Sequence, residues 1–174
     1  MGQAYPHKNL NRLIRAFAQV APLHRDLRLV LAGKPHPSET PRLHVLAAEL
    51  GLERRVEFRS YVPYAELPDL YRGALALVYP SLWEGFGLPV LEAMACGTPV
   101  ITSYGSGTEE VAGRAGILVD PTDTKALEEG IALLLAQPAL RSQLRQRGLD
   151  RVCAFSWSGA AGRTAQLLSD LEGG

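Results

Sequence analysis

Short apolar runs alternate with stretches of helical periodicity along most of this chain, and that alternation constrains its fold more than any other feature. Residues 27–33, LRLVLAG, are brief, apolar and closed by glycine, as a strand covered on both faces should be. The pattern continues with a helix predicted over Pro41 to Leu50, a strand over Val56 to Arg59 and a helix over Tyr64 to Arg72. A strand over Leu75 to Tyr79, a helix over Pro89 to Cys96 and a strand over Pro99 to Thr102 follow. Ahead of these, Leu10, Leu13, Ile14, Phe17 and Val20 keep helical spacing from Asn9, with Pro22 as the stop. Gly116 to Val119 reads as one more strand, and Thr124 to Ala136, Ala139 to Cys153 and Ser158 to Leu171 read as successive helices. Such alternation implies an α/β fold, a Rossmann-like parallel sheet with helices on both faces.

A chain of 174 residues, 47% hydrophobic, supports one sizeable core and so one domain, residues 1–174. Eighteen basic residues balance eighteen acidic ones, which excludes a general attraction to nucleic acid or an anionic membrane and makes any phosphate site a local matter. Cys96 and Cys153 are too few for a disulfide framework and read as free thiols. No apolar run approaches the roughly 20 residues of a membrane helix, and MGQAYPHKN has no signal-peptide pattern, so a cytoplasmic location is expected. His24, His36 and His44 show no metal-ligand spacing, and neither metal nor cofactor is expected.

In open parallel sheets ligands bind beyond the carboxyl ends of the strands. At such a place Tyr79-Pro80-Ser81-Leu82-Trp83-Glu84-Gly85-Phe86-Gly87-Leu88-Pro89 leaves a strand, crosses a glycine-bearing loop and enters a helix that ends at Gly97. The glycines let backbone approach a ligand, and the helix N-terminus favours an anion, for which a diphosphate is the obvious candidate. Glu84 in the loop and Glu92 about one turn into the helix can face one cleft, where carboxylates accept hydrogen bonds from paired hydroxyls. Equally, Glu92 complements the helix dipole and Glu84 is merely solvated. Trp83 reads as a packing residue; Phe86 is left open between packing and ligand contact.

The stretch EGFGLPVLEAMACGTPVI closely resembles the donor-site signature of retaining nucleotide-sugar glycosyltransferases of family 4, which have the two-domain GT-B fold. YPHKNL, LVLAG, VEFRSYV, GTEEVAG, GILVDP and the closing FSW fall in that family's order, so the resemblance covers nearly the whole chain and implies the C-terminal, donor-binding half. It implies that Glu92 bonds the nucleotide ribose, that Glu84 contacts the donor sugar, and that backbone from Gly85 through Phe86 and Gly87 to Leu88 meets sugar and diphosphate. Lys8 matches the family's phosphate-binding lysine, and an ammonium there offsets charge growing on a departing diphosphate. With Glu84 it forms the expected catalytic pair. Gln3 stands where the family usually has arginine. Ser60, Tyr61 and Val62 fall where relatives hold the nucleobase, with Tyr61 equally readable as core. Glu110 matches a recurring glutamate, either a helix cap or a ligand contact.

The resemblance further implies an acceptor-binding domain of roughly 150 to 200 residues ahead of Met1, and a first strand clipped before Gly2. A helix over residues 156–171 would return to that domain, leaving Leu167, Leu168 and Leu171 partly exposed and open to self-association. Peripheral membrane association is expected only of a full-length protein. The implied function is transfer of a sugar from a UDP- or GDP-linked donor to a hydroxyl acceptor, with the isolated chain binding nucleotide without turnover. A non-catalytic nucleotide-binding module and a sugar-nucleotide epimerase of related fold are the alternatives.

Overall fold

Strand and helix follow one another in the computed structural model much as the periodicity requires; it describes residues 2–172. Met1, Gly173 and Gly174 lie outside the described residues. Helix α1 (Leu10–Val20) buries Leu13, Ile14, Ala16, Phe17 and Val20, the stripe its spacing predicts. Burying each of the larger four contributes about 1.5–3 kcal/mol, ample to hold a helix whose other face is polar. Pro22 falls within the short 3-10 turn Ala21–Leu23 that ends it.

The strands are β1 (Leu29–Ala32), β2 (Val56–Arg59), β3 (Leu77–Tyr79), β4 (Val100–Ser103) and β5 (Ile117–Val119). Between and after them lie α2 (Glu39–Glu49), α3 (Leu67–Arg72), α4 (Leu88–Ala95), α5 (Gly107–Ala112), α6 (Thr124–Ala136), α7 (Pro138–Val152) and α8 (Trp157–Glu172). All pairing among the described strands is parallel. The single expected sheet is, however, two ladders, β1-β2 and β3-β4-β5. Leu29 lies opposite Val56 and Ala32 opposite Arg59 in the first; Leu77 lies opposite Val100 and Ser103 opposite Val119 in the second. Apolar periodicity assigns residues to strands but does not say which strands touch, so the break was not legible in it.

Helices cover both faces. Ile101 and Val119 join α1, α2 and α6 in one core cluster, whereas Val100 and Tyr79 join Val90, Met94 and Val111 in another on the opposite side. Because α1 packs on α6 and on α2, it straddles the two ladders. Near the C-terminus, Leu167, Leu168 and Leu171 of α8 are 65%, 58% and 80% exposed. Both cysteines are free, and no helix among the described residues is long and apolar enough to cross a membrane.

Candidate functional site

At the carboxyl end of β3 the chain turns into the loop that leads to α4, and the segment before α1 crosses this point. A 3-10 turn, Pro6–Lys8, and a left-handed Asn9 (φ 58°) deliver Lys8 to the end of the strand. Asn9 is fully buried, and its Nδ2 donates to the carbonyls of Pro80 (3.0 Å) and Pro121 (2.6 Å) while Oδ1 accepts from Arg12 (2.9 Å). A single amide thus ties the approach of α1 to the loops after β3 and β5.

Lys8 Nζ donates to Glu84 Oε1 and to the Tyr79 hydroxyl, both at 2.5 Å, and that hydroxyl donates to Glu84 Oε1 at 2.8 Å. Burial alone would lower the pKa of Lys8, but the bonds to Glu84 and Tyr79 outweigh it and hold the ammonium above its ordinary value. For Glu84 burial acts upward, and its contacts with Lys8, then the Ser81 hydroxyl and Tyr79, overcome it, holding the carboxyl below its usual range. Burial raises the Tyr79 phenol, so it remains a hydroxyl that can accept from one partner and donate to the other. Beside them Ser81 Oγ is buried without a hydrogen-bond partner among the described residues.

Glu84, depressed on folding, adds stability above about pH 4.3 that is lost as pH falls through its lower folded value; Lys8, raised, adds stability below about pH 10.4 that is lost as pH rises through its higher one. In urea unfolding, the stability gap between the natural chain and Glu84→Gln is therefore expected to narrow as pH falls from about 5 to about 2. A gap that stays constant would assign the contribution of Glu84 to packing.

Beyond Glu84 the loop is shaped by a second loop behind it. Gly107 N–H donates to the Glu84 carbonyl at 3.0 Å, and a Cβ at Gly107 would lie 2.5 Å from the Gly85 carbonyl oxygen. Gly87 has φ +105°, and a Cβ there would meet Thr108 Cγ2 at 2.8 Å. Two glycines on facing loops set this approach, and Gly87 then opens α4, whose Leu88 N–H has no carbonyl one turn earlier to satisfy it. Phe86 is partly exposed with its ring edge-on to Phe155 at 5.8 Å, and Leu88 is exposed. Glu92, further along α4, accepts from the buried Tyr71 hydroxyl at 2.9 Å. Burial, then the neighbouring Glu92, pushes the Tyr71 phenol far up, which keeps it a donor.

Gln3, Ser60 and Val62 line a cavity together with Lys8 and Lys34. Tyr61 is 77% exposed, so the core reading of it is corrected; it lies in the loop that follows β2, outside both core clusters. Trp83, read as packing, is also corrected: it is 63% exposed, with one face stacked on His7 at 4.6 Å. Glu110 is exposed, and Glu109 is the carboxylate that accepts a turn amide, from Gly105 at 2.7 Å. Tyr79, Asn9, Tyr71 and Lys34 are the site's unforeseen members. Among the described residues no group of three His, Cys, Asp or Glu could hold a metal ion.

The family model of glycosyl transferases group 1 matches residues 1–151. The chain belongs to that family. O-antigen chain mannosyltransferase B of Escherichia coli is 37% identical over 166 residues, which cover 94% of this chain and 43% of that relative. Among solved structures, sucrose-phosphate synthase from Thermosynechococcus elongatus superposes with a TM-score of 0.85 at 34% identity, over 99% of this chain and 45% of that one. The Anabaena protein HepE in complex with UDP gives a TM-score of 0.85 at 26% identity, covering 97% and 48%. This member of glycosyl transferases group 1 thus spans less than half the length of these relatives, and its fold is that of one half of a GT-B glycosyltransferase.

Proposed function

We propose that this chain is the donor-binding half of a retaining glycosyltransferase that moves a sugar from a UDP- or GDP-linked donor to a hydroxyl acceptor. The observation that carries the reading is the convergence of Lys8, Tyr79 and Glu84 where a glycine loop enters α4, in a chain whose family members are glycosyltransferases. The UDP complex of HepE adds support for a nucleotide ligand in this architecture. In this reading Lys8 and the amides from Gly85 to Leu88 take the diphosphate, Glu84 the sugar hydroxyls, Glu92 the ribose, and Ser60 to Val62 the base. Gln3 contributes polarity without charge, and Lys34, on the same cavity, supplies a second cation. The acceptor attacks from the face the diphosphate leaves, and its proton passes to the leaving oxygens. With an acceptor-binding domain lying outside these residues, the isolated chain binds donor without turnover.

Lys8 is already neutralised by Glu84, so an arriving diphosphate competes with that carboxylate for the ammonium. Calorimetric titration with UDP, GDP and ADP is therefore expected to show one preferred diphosphate. Lys8→Ala should weaken it about 10- to 100-fold, the worth of a charge-assisted bond of about 1.5–3 kcal/mol. Glu92→Ala should weaken it about tenfold. Glu84→Gln, which frees Lys8, should tighten the bare nucleoside diphosphate while lowering the advantage of its sugar conjugate. No binding at millimolar nucleotide, or affinity indifferent to Lys8, would sink the assignment.

A further inference from the structure

Ser81 alone among the described residues has a buried side-chain polar atom without a hydrogen-bond partner. Its backbone is held in place by its neighbours' bonds and its own. The Ser81 carbonyl accepts from Ser103 Oγ at 2.6 Å, the Pro80 carbonyl accepts from Asn9 at 3.0 Å, and the Leu82 N–H donates to His7 at 2.8 Å. Only the hydroxyl is left to turn. A buried hydroxyl without a bond is costly, and one kept beside a candidate site calls for a second state in which the bond is made.

Glu84 supplies that state. Lys8 and Tyr79 both bond its Oε1, and its Oε2 takes no hydrogen bond from the described residues. The Ser81 hydroxyl is near enough to this carboxyl to help hold it below its usual range, yet lacks the geometry of a hydrogen bond. Lys8 and Glu84 are each only 15% exposed at the side chain, so a diphosphate that draws the ammonium away leaves a largely buried carboxylate behind. That charge must find other donors or oppose the ligand. Tyr79 keeps its place, because its ring is buried in the cluster with Val90, Met94 and Val100 and its hydroxyl already donates to Oε1. One donor is still missing.

We propose that Ser81 is a positioning residue that replaces Lys8 on Glu84 when the ammonium passes to the diphosphate, so that the carboxylate stays charged and in place for the sugar. A turn of this one side chain, with the backbone held, makes the exchange. The exchange rests on the donor-binding reading above, but its first test needs no ligand.

Lys8→Met keeps the stem and deletes the ammonium, which imitates its departure. In urea unfolding at about pH 7, Ser81→Ala is expected to change the folding constant of the natural chain less than about threefold, because the hydroxyl it removes has no bond, and to lower that of Lys8→Met about tenfold or more. With Glu84→Gln added to Lys8→Met, the loss should fall back to the natural chain's value, which ties the coupling to the carboxylate rather than to packing. A loss in Lys8→Met within about threefold of the natural chain's, or one that persists with Glu84→Gln, overturns the proposal. So does a Lys8→Met chain that fails to fold, since Ser81 and Tyr79 are then unable to hold Glu84 without the ammonium. Titration with UDP and GDP adds the bound state: Ser81→Ala should weaken the preferred diphosphate about tenfold, and not in Glu84→Gln. Diphosphate binding indifferent to Ser81 overturns the exchange, whereas no binding at all sinks the donor-binding reading and leaves the unfolding cycle to decide this one.

Discussion

Asn9→Ala is expected to lower stability by about 3 kcal/mol and, in the molecules that remain folded, to weaken nucleoside diphosphate binding. The substitution deletes the two donors that satisfy the Pro80 and Pro121 carbonyls and the acceptor for Arg12, and an unsatisfied buried polar group costs about 1–3 kcal/mol. It also leaves alanine at φ 58°, a conformation that costs a residue with a Cβ roughly 1–2 kcal/mol. Asn9→Gly removes the second cost alone and should recover about 1 kcal/mol in urea midpoints, which separates strain from lost bonding. The binding readout distinguishes positioning from mere stability. Asn9 immediately follows Lys8, so losing its anchors frees the ammonium from the end of β3. An unchanged dissociation constant in the folded fraction would make Asn9 structural only.

Much of this was legible where physics is local. α1 and α6 follow from periodicity and their stops, and β2 falls on the predicted residues, because a helical stripe or an apolar run needs no knowledge of the partner. α5 escaped because Gly107–Ala112 is too short to show a period. Tyr64–Glu66 is a 3-10 turn ahead of α3 rather than its first turn, a distinction propensity does not make. Sheet pairing was illegible for a deeper reason: β1 and β3 have the composition of buried strands, and nothing in either says which strand it pairs with. In the candidate site, Lys8, Glu84 and Glu92 stood out through the stretches YPHKNL and EGFGLPVLE, whereas nothing in the sequence singled out the hydroxyls of Tyr79 and Tyr71. Their role exists only once folding sets a buried hydroxyl beside a carboxylate, 2.8 Å from Glu84 and 2.9 Å from Glu92 respectively.

Gly107→Ala is expected to cost about 2–3 kcal/mol, the range for forcing an atom into a filled space, and to displace the loop from Glu84 to Leu88. The new Cβ would sit 2.5 Å from the Gly85 carbonyl oxygen and 2.8 Å from the Phe86 nitrogen. Both are backbone atoms, which cannot rotate away as a flexible side-chain end would. One of two things must yield: α5 withdraws and breaks the Gly107 to Glu84 hydrogen bond, or the loop shifts and carries Glu84 off Lys8. Gly85→Ala supplies the contrast, because a Cβ there meets nothing within 4 Å and the change should stay within about 0.5 kcal/mol in stability. Its effect on binding therefore reports on the ligand alone. If backbone at Gly85 approaches a donor, the methyl intrudes on that approach and the sugar nucleotide weakens while the unfolding midpoint holds. Unaltered donor affinity in Gly85→Ala would place the ligand away from this loop.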